Sequence, residues 1–320
     1  MANENPLPFD PDKVPDLIGQ GLIRVVGTPA SKTHAEPPLP TNESMEKARE
    51  IMGTEFFGVE EVEKAFGFPI DKSLIPKMEF TPQELTEAKA NDQYLMLYVP
   101  KKADGTPITA KLLTDTLQPQ FDRDRKGKIQ YDTDWCKNEK FYTTDTSRPA
   151  WRLITKDVVP GSLNNNYLQQ TEDIVKYLKD VVFKGKSIPT DYQEAIDEFE
   201  GQKENIRKNL SSKWQESANK LAGLKITKKT RQTLVEERYG WLVYFQNRNE
   251  RLLEDKYNWT GSQSSDGNLV NVGNSDTDGA NVNNWKPDNS NDNIGVVLSR
   301  KFRKLIKGSL QKRAFIEDSG

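Results

Sequence analysis

Cysteine and histidine, the residues that carry most nucleophilic and metal-dependent chemistry, are almost absent from this sequence. Its 320 residues include one cysteine, Cys136, and one histidine, His34. A Ser-His-Asp triad would have to use His34, which stands among prolines, and a single thiol cannot build a disulfide framework or a cysteine-based zinc site. We therefore predict a protein that is not an enzyme and has no cofactor. We interpret Cys136 as a small buried hydrophobic residue.

Carboxylates are the remaining candidates for acid–base chemistry. Two pairs stand close together in the sequence, Asp132 with Asp134 and Glu236 with Glu237. Because the chain has 48 acidic residues, such pairs also arise by chance. They are weak evidence for catalysis.

Asparagine side chains form the densest group of polar functional atoms. Residues 261–295 contain nine asparagines among several Asp, Ser and Gly residues. Each amide offers two donors and two acceptor lone pairs, and asparagine mixed with serine, tyrosine and tryptophan is typical of adaptable recognition surfaces. In an extended segment, alternate residues lie on the same side. Asn281 would therefore share a side with Asn283, and Asn289 would share a side with Asn291 and Asn293. The pattern predicts a face that contacts a partner.

Short apolar pieces and turn signals predict that this Asn-rich region consists of strands joined by polar loops. The apolar pieces are Leu269–Val272 and Ile294–Leu298. The pairs Asp266-Gly267 and Asp278-Gly279 favour tight turns between strands.

The preceding part of the chain predicts a framework of helices with two buried strands. Tyr94–Val99 is a compact apolar run that ends at Pro100, and Trp151–Ile154 is a second strand candidate. Apolar residues at helical spacing predict helices in 44–66, from Thr81, in 174–182, 190–199 and 206–221, and in 233–253.

One run carries a resemblance to a known family: Gly279-Ala-Asn-Val-Asn-Asn-Trp285-Lys-Pro-Asp-Asn-Ser-Asn-Asp-Asn-Ile294-Gly295-Val. It resembles the C-terminal signature of proteins with the formylglycine-generating-enzyme type of C-type lectin fold. It is most similar to the variable proteins targeted by diversity-generating retroelements, whose Asn-rich tract precedes the last strand and reflects adenine-rich codons. Tyr257–Thr260, Leu269–Gly273 and Phe57–Gly67 are similar to a group of bacterial proteins that share such a region. The resemblance is good over 257–302, weaker over 45–160 and absent over 185–225.

The resemblance implies a division between scaffold and ligand-facing residues. The scaffold would be Trp259, Gly273, Gly279, Ile294 and Gly295. The ligand-facing and diversifiable positions would be Asn281, Asn283, Asn284, Lys286, Asn289, Ser290 and Asn291, with Trp285 at the base of the site and Asp288 and Asp292 in the same tract. The ligand would be a protein or a glycan. The enzyme of this fold relies on cysteine chemistry, which a chain with Cys136 alone does not provide.

Other interpretations compete with this one. Asp276 and Asp278 have the alternation of a calcium loop, but the glycine that follows comes too early for an EF-hand, and a plain turn is the preferred interpretation. The basic cluster at 300–313 could bind nucleic acid, but an amphipathic helix with a solvated charged face is the favoured interpretation. A structural or receptor-binding component of a virus or phage particle, and a calcium- or glycan-binding lectin, are the alternative functions.

The predicted organisation is an α+β protein with a helical N-terminal part and a C-terminal C-type-lectin-like domain that contains a helical insertion. We predict a Pro-rich tail at 1–43, a small helical subdomain at 44–90, the lectin-like domain at 91–305 with a helical section at 164–250, and a charged tail at 306–320. The Asn-rich surface spans 268–293. The formal charge of −2 indicates no global attraction to a membrane or to nucleic acid. The first residues lack the pattern of a secretory signal, which predicts a cytoplasmic or virion-associated protein.

Overall fold

The structure, a computed structural model, describes residues 41–301, with side chains from residue 43 onward. His34, the Pro-rich stretch up to residue 40, and the segment 302–320 lie outside the described residues. The predictions for the charged tail at 306–320 and for most of the basic cluster therefore stay predictions.

Helices and strands are mixed along the described range, which confirms the predicted α+β class. The helices are α1 (Thr41–Met52), α2 (Val59–Phe66), α3 (Pro82–Ala90), α4 (Ala110–Arg123), α5 (Lys140–Thr143), α6 (Tyr167–Tyr177), α7 (Thr190–Asn209), α8 (Trp214–Gly223), α9 (Lys225–Thr230) and α10 (Leu234–Arg248). The strands are β1 (Phe56–Phe57), β2 (Gln93–Tyr98), β3 (Ala150–Thr155), β4 (Tyr257–Gln263), β5 (Leu269–Asp276), β6 (Gly279–Trp285), β7 (Ile294–Gly295) and β8 (Ser299–Lys301). A π-helical turn, Leu178–Val182, follows α6.

The first sheet has the order β1-β2-β3-β8 and contains both predicted buried strands. β2 and β3 are antiparallel, with Tyr94 opposite Ile154 and Tyr98 opposite Ala150. Every residue of these two strands is buried, as expected for apolar runs covered on both faces. β8 pairs antiparallel with β3, so that the end of the described chain forms an edge strand of this sheet.

The second sheet has the order β6-β5-β4-β7 and is formed by the Asn-rich region. β4, β5 and β6 are antiparallel neighbours joined by the two predicted turns, in which Gly267 and Gly279 have positive φ values of 91° and 103°. These conformations favour glycine because it lacks a Cβ. β7 pairs parallel with β4, with Ile294 opposite Tyr257.

Helix α10 lies at the centre, and all of its residues from Leu234 to Phe245 are buried. Thr233 caps its first turn in a capping box with Glu236. The helix ends at Arg248, five residues before the predicted end at Leu253. Asn249 adopts a left-handed conformation with a φ of 56° and donates its N–H to the carbonyl of Phe245, which stops the helix.

The apolar residues predicted as one seam from Ile206 to Leu221 belong to two helices. α7 continues through Gly201, which lies between the helices predicted at 190–199 and 206–221, and ends at Asn209. Lys213, with φ −129° and ψ 52°, leaves the helical region before α8 begins. Tertiary packing therefore overrides the continuous spacing, because both helices bury their apolar residues in the core that contains Trp259.

The three N-terminal helices share a core with the first sheet and α10. Met52, Phe66 and Leu85 are buried together with residues of β2. The rings of Phe66 and Tyr239 meet edge to face with centroids 4.7 Å apart. Residues 44–90, predicted as a small helical subdomain, are thus packed against the rest of the described chain.

Candidate binding surface

The five predicted scaffold residues occupy buried positions in or beside the second sheet. Trp259 and Ile294 belong to a hydrophobic core. A Cβ added to Gly273 would lie 2.0 Å from the carbonyl oxygen of Lys256, and one added to Gly295 would lie 2.6 Å from the Cβ of Val158. The backbone of the neighbouring strand at Gly273 and the side chain of Val158 at Gly295 therefore leave no room for a larger residue.

The pairing of β6 with β5 fixes the direction of the amides. Asn281 lies opposite Gly273, and Asn283 lies opposite Asn271. Since side chains alternate along a strand, Asn281, Asn283 and Trp285 share one face while Asn284 lies on the other. All four are partly exposed, and Trp285 also packs against the core that contains Trp259.

Part of the predicted surface at 268–293 is not exposed. β5 is an inner strand, and its residues from Leu269 to Gly273 are buried, including Asn271. Asn274, at the end of this strand, donates to the carboxylate of Asp276 at 3.4 Å. The prediction that Asn271 is exposed is wrong because β5 carries polar as well as apolar residues on its buried faces. The exposed part of the predicted surface is therefore limited to β6, with side chains on both of its faces, and to the loop that follows it.

The loop 286–293 has a backbone fixed by hydrogen bonds from other elements. The N–H of Asn164 donates to the carbonyl of Asn291 at 3.0 Å, and that of Tyr257 donates to the carbonyl of Asn293 at 2.8 Å. The N–H of Tyr167 donates to the carbonyl of Pro287 at 3.2 Å. The side chains of Lys286, Asn289, Ser290 and Asp292 are exposed, and those of Asp288 and Asn291 are partly exposed.

Most polar side chains of this region have no hydrogen-bond partner within the described range. This holds for Asn281, Asn284, Asn289, Ser290, Asn291 and Asp292. Asn283 contacts the hydroxyl of Tyr257, whose pKa is raised by burial and lowered in part by this hydrogen bond. Asparagines elsewhere are structural: Asn247 donates to two backbone carbonyls, and Asn258 accepts from the N–H of Val297 at 2.9 Å. The amides of β6 and of the loop after it therefore differ from these structural asparagines in having few hydrogen bonds to the described residues.

Two exposed aromatic residues that were not predicted as site residues lie beside β6. Tyr131 and Trp135 are 56% and 37% exposed. The N–H of Tyr131 donates to the carbonyl of Ala280 at 3.1 Å, and the indole N–H of Trp135 donates to the carbonyl of Val282 at 2.9 Å. The available signal was the polar sequence around both aromatics, which has no apolar periodicity to bury them. They add aromatic area next to the amides.

The rival catalytic and metal-binding residues are engaged in the fold. The N–H of Asp278 donates to the carboxylate of Asp276 at 2.8 Å, which makes the predicted plain turn. Within residues 43–301, no three His, Cys, Asp or Glu side chains come together as a metal site. Glu236 and Glu237 are both buried. Cys136 is buried as predicted, and burial raises the pKa of its thiol.

The described start of the basic cluster is not an exposed helix face. Arg300 and Lys301 belong to β8. Arg300 is buried, donates to the side-chain oxygen of Gln93 at 3.4 Å and lies 5.6 Å from the ring centre of Phe80. The prediction of a solvated helix is therefore wrong at these two positions, because pairing with β3 extends the chain there.

Comparison of the chain with protein-family models, with curated proteins and with solved structures finds no match. In the described part of the chain, every helix is too short or too polar to cross a membrane.

Proposed function

We propose that the chain is a non-catalytic binding protein whose ligand-facing site is the amide surface. This surface comprises Asn281, Asn283, Asn284, Trp285, Lys286, Asp288, Asn289, Ser290, Asn291 and Asp292. The observation that carries the proposal is the contrast between a backbone held by hydrogen bonds and side chains that make few or none. Side chains with no role in folding are available for contact with a partner.

The chemistry of the surface suits recognition of a protein or a glycan. Amides donate and accept hydrogen bonds at the same time, so that they adapt to polar partners. Trp285, Tyr131 and Trp135 add aromatic area, and more than half of the Tyr131 surface is exposed. The combination of rigid aromatics with adaptable polar groups is that of antibody paratopes.

The proposal extends to a variable protein of a diversity-generating retroelement with a C-type-lectin-like domain. Three observations support it: the Asn-rich tract precedes the final strands, most of its polar side chains make no hydrogen bond to the described residues, and the predicted scaffold positions are buried. A fixed framework lets the surface change without loss of folding.

Replacement of the amides tests the separation between surface and framework. The variant Asn281→Ser, Asn284→Ser, Asn289→Ser and Asn291→Ser should melt within about 3 °C of the wild type, because surface changes of this kind fall within about ±0.5 kcal/mol each and, being of either sign, sum to less than about 1 kcal/mol. The control Asn258→Ala removes the acceptor for Val297 and should lower stability by about 1–3 kcal/mol. A fourfold variant that melts as low as the control would show that the amides are structural.

Sequencing of this locus across related isolates tests the retroelement. Substitutions should concentrate at adenine-containing codons of the amide surface and spare Trp259, Gly279 and Gly295. A neighbouring reverse transcriptase and a near-copy of the codons for 281–293 should accompany them. Differences spread evenly over exposed positions would contradict the retroelement proposal. Ligand binding by the amide surface would still be tested by the replacement of the amides.

A further inference from the structure

A cleft that shares no residue with the amide surface is lined mainly by cations. This cleft has a volume of about 300 Å³ and lies where β3, β8, α9 and the start of α10 meet. We call it the basic cleft, and its charged residues are Arg148, Arg152, Lys228, Arg231, Lys301, Asp145 and Glu236. Five cations face two carboxylates.

The carboxylate at the base of the cleft compensates only one of these cations. Glu236 forms an ion pair with Arg152, and both side chains are almost fully buried. The other oxygen of Glu236 accepts the N–H of Thr233 at 3.0 Å in the cap of α10. Glu236 is therefore fully used by the fold. Among residues 43–301, no salt bridge reaches Arg148, Lys228, Arg231 or Lys301.

Arg231 is the most costly of the unpaired cations because it is only 2% exposed. Its guanidinium donates to the carbonyls of Trp259 and Tyr167 and stacks 3.8 Å from the ring centre of Tyr167. These contacts satisfy donors but supply no negative charge, and the one carboxylate that favours the charged form of Arg231, Asp173, forms no salt bridge with it. The Nε atoms of Arg231 and Arg152 are buried and have no acceptor in the described range. A buried charge without a directly paired counter-charge is rare in folded proteins and is expected at binding sites.

The pKa of Lys301 is lowered in part by the positive charges in the same cleft. Burial, followed by the charge of Arg152, lowers its pKa to about 8. The other charged groups that act on it are Arg148, Lys229 and Glu236, of which only Glu236 favours the protonated form. An anion in the cleft would reverse this effect.

We propose that the basic cleft binds a small molecule that carries two or more linked phosphate groups. A phosphate group carries about −1.5 to −2 charges at neutral pH, so that an oligophosphate matches four unpaired cations where a single carboxylate does not. Arginine forks and lysine ammonium groups are the usual partners of phosphate oxygens. The volume of the cleft is at the lower end of the range for sites that hold cofactor-sized ligands.

Calorimetric titration of the full chain tests the proposal with tripolyphosphate and ATP as probes. The variant Arg148→Ala with Lys228→Ala removes two exposed cations at the rim, so the fold should persist. We expect the loss of each cation to weaken tripolyphosphate binding about tenfold, so that the double variant binds about a hundredfold more weakly. The control Lys179→Ala with Lys184→Ala removes two exposed lysines outside the cleft and should leave the affinity unchanged. Tighter binding of ATP than of tripolyphosphate would identify a nucleotide site, and the reverse order an inorganic oligophosphate site.

Proton uptake separates a built site from loose attraction to surface charge. At pH 8, binding should take up about half a proton in the wild type, since Lys301 is about half deprotonated there, and none in Lys301→Met. The uptake is read from the heat measured in buffers of different ionisation enthalpy. Three results would overturn the proposal: equal affinity in the rim and control variants, binding without proton uptake, and binding of duplex DNA but not of tripolyphosphate.

Discussion

Replacement of Glu237 by glutamine should stabilise the protein at neutral and alkaline pH. Glu237 belongs to α10, is 6% exposed, and lines a cavity of about 20 Å³ with Tyr94, Lys156 and Trp241. Its carboxylate makes no hydrogen bond with the described residues. Burial raises its pKa from 4.5 to about 7, and the charge of Arg238 opposes the rise.

The sign of the effect follows from proton linkage. The folded state binds the Glu237 proton more tightly than the unfolded state, so the stability it contributes is fully present below pH 4.5. It is lost as the pH rises through about 7. At ~1.4 kcal/mol per tenfold change in the acid constant, the loss is about 3 kcal/mol. Glutamine keeps the shape and stays neutral, so that Glu237→Gln should gain this amount over the wild type above pH 8.

Urea unfolding and thermal melting of both proteins at several pH values between 4.5 and 8.5 measure the difference. The two free energies of unfolding should be similar at pH 4.5 and diverge as the pH rises, with an advantage of about 6–12 °C in melting temperature at pH 8.5. Glu46→Gln, at an exposed carboxylate of α1, is the matched control and should follow the wild type. Parallel curves for Glu237→Gln and the wild type would refute the reasoning.

Four further substitutions probe the framework. Glu236→Ala leaves the buried Arg152 without its counter-charge and should lower the free energy of unfolding by about 3–5 kcal/mol in urea titrations. Gly279→Ala combines a φ of 103° with a Cβ placed 2.6 Å from a backbone carbon, and should cost about 3 kcal/mol by thermal melting. Gly161→Ala has a φ of 84° but open space, and should cost only about 1 kcal/mol. Trp135→Phe removes the hydrogen bond to β6 and should accelerate amide hydrogen exchange in that strand while α10 stays protected.

Local signals predicted the elements that depend on neighbouring residues. The apolar run Tyr94–Val99 forms β2, and Thr81 caps α3 in a capping box with Glu84, with Pro82 in the first turn. The turn at Asp278-Gly279 forms because an Asp carboxylate and a positive φ are local properties.

Features that depend on distant residues could not be read from the sequence. The burial of Asn271 follows from the position of β5 between β4 and β6, which no local pattern encodes. Arg231 and Lys301 meet in the basic cleft although 69 residues separate them in the chain. Both residues look like ordinary surface cations in the sequence, because burial of a charge is set by tertiary packing.

A displayed library tests the central claim, that the amide surface contacts partners from a framework that does not depend on it. Positions 281, 283, 284, 289, 290 and 291 are randomised and selected against a purified protein, after a protease step that removes unfolded members. The control library randomises exposed positions of α7: 193, 194, 197, 200, 204 and 208.

We predict that most members of the first library resist protease and that it yields binders far more often than the control library. Loss of protease resistance in most members would show that these side chains hold the fold. Equal recovery of binders from both libraries would show that the amide surface has no special role in recognition.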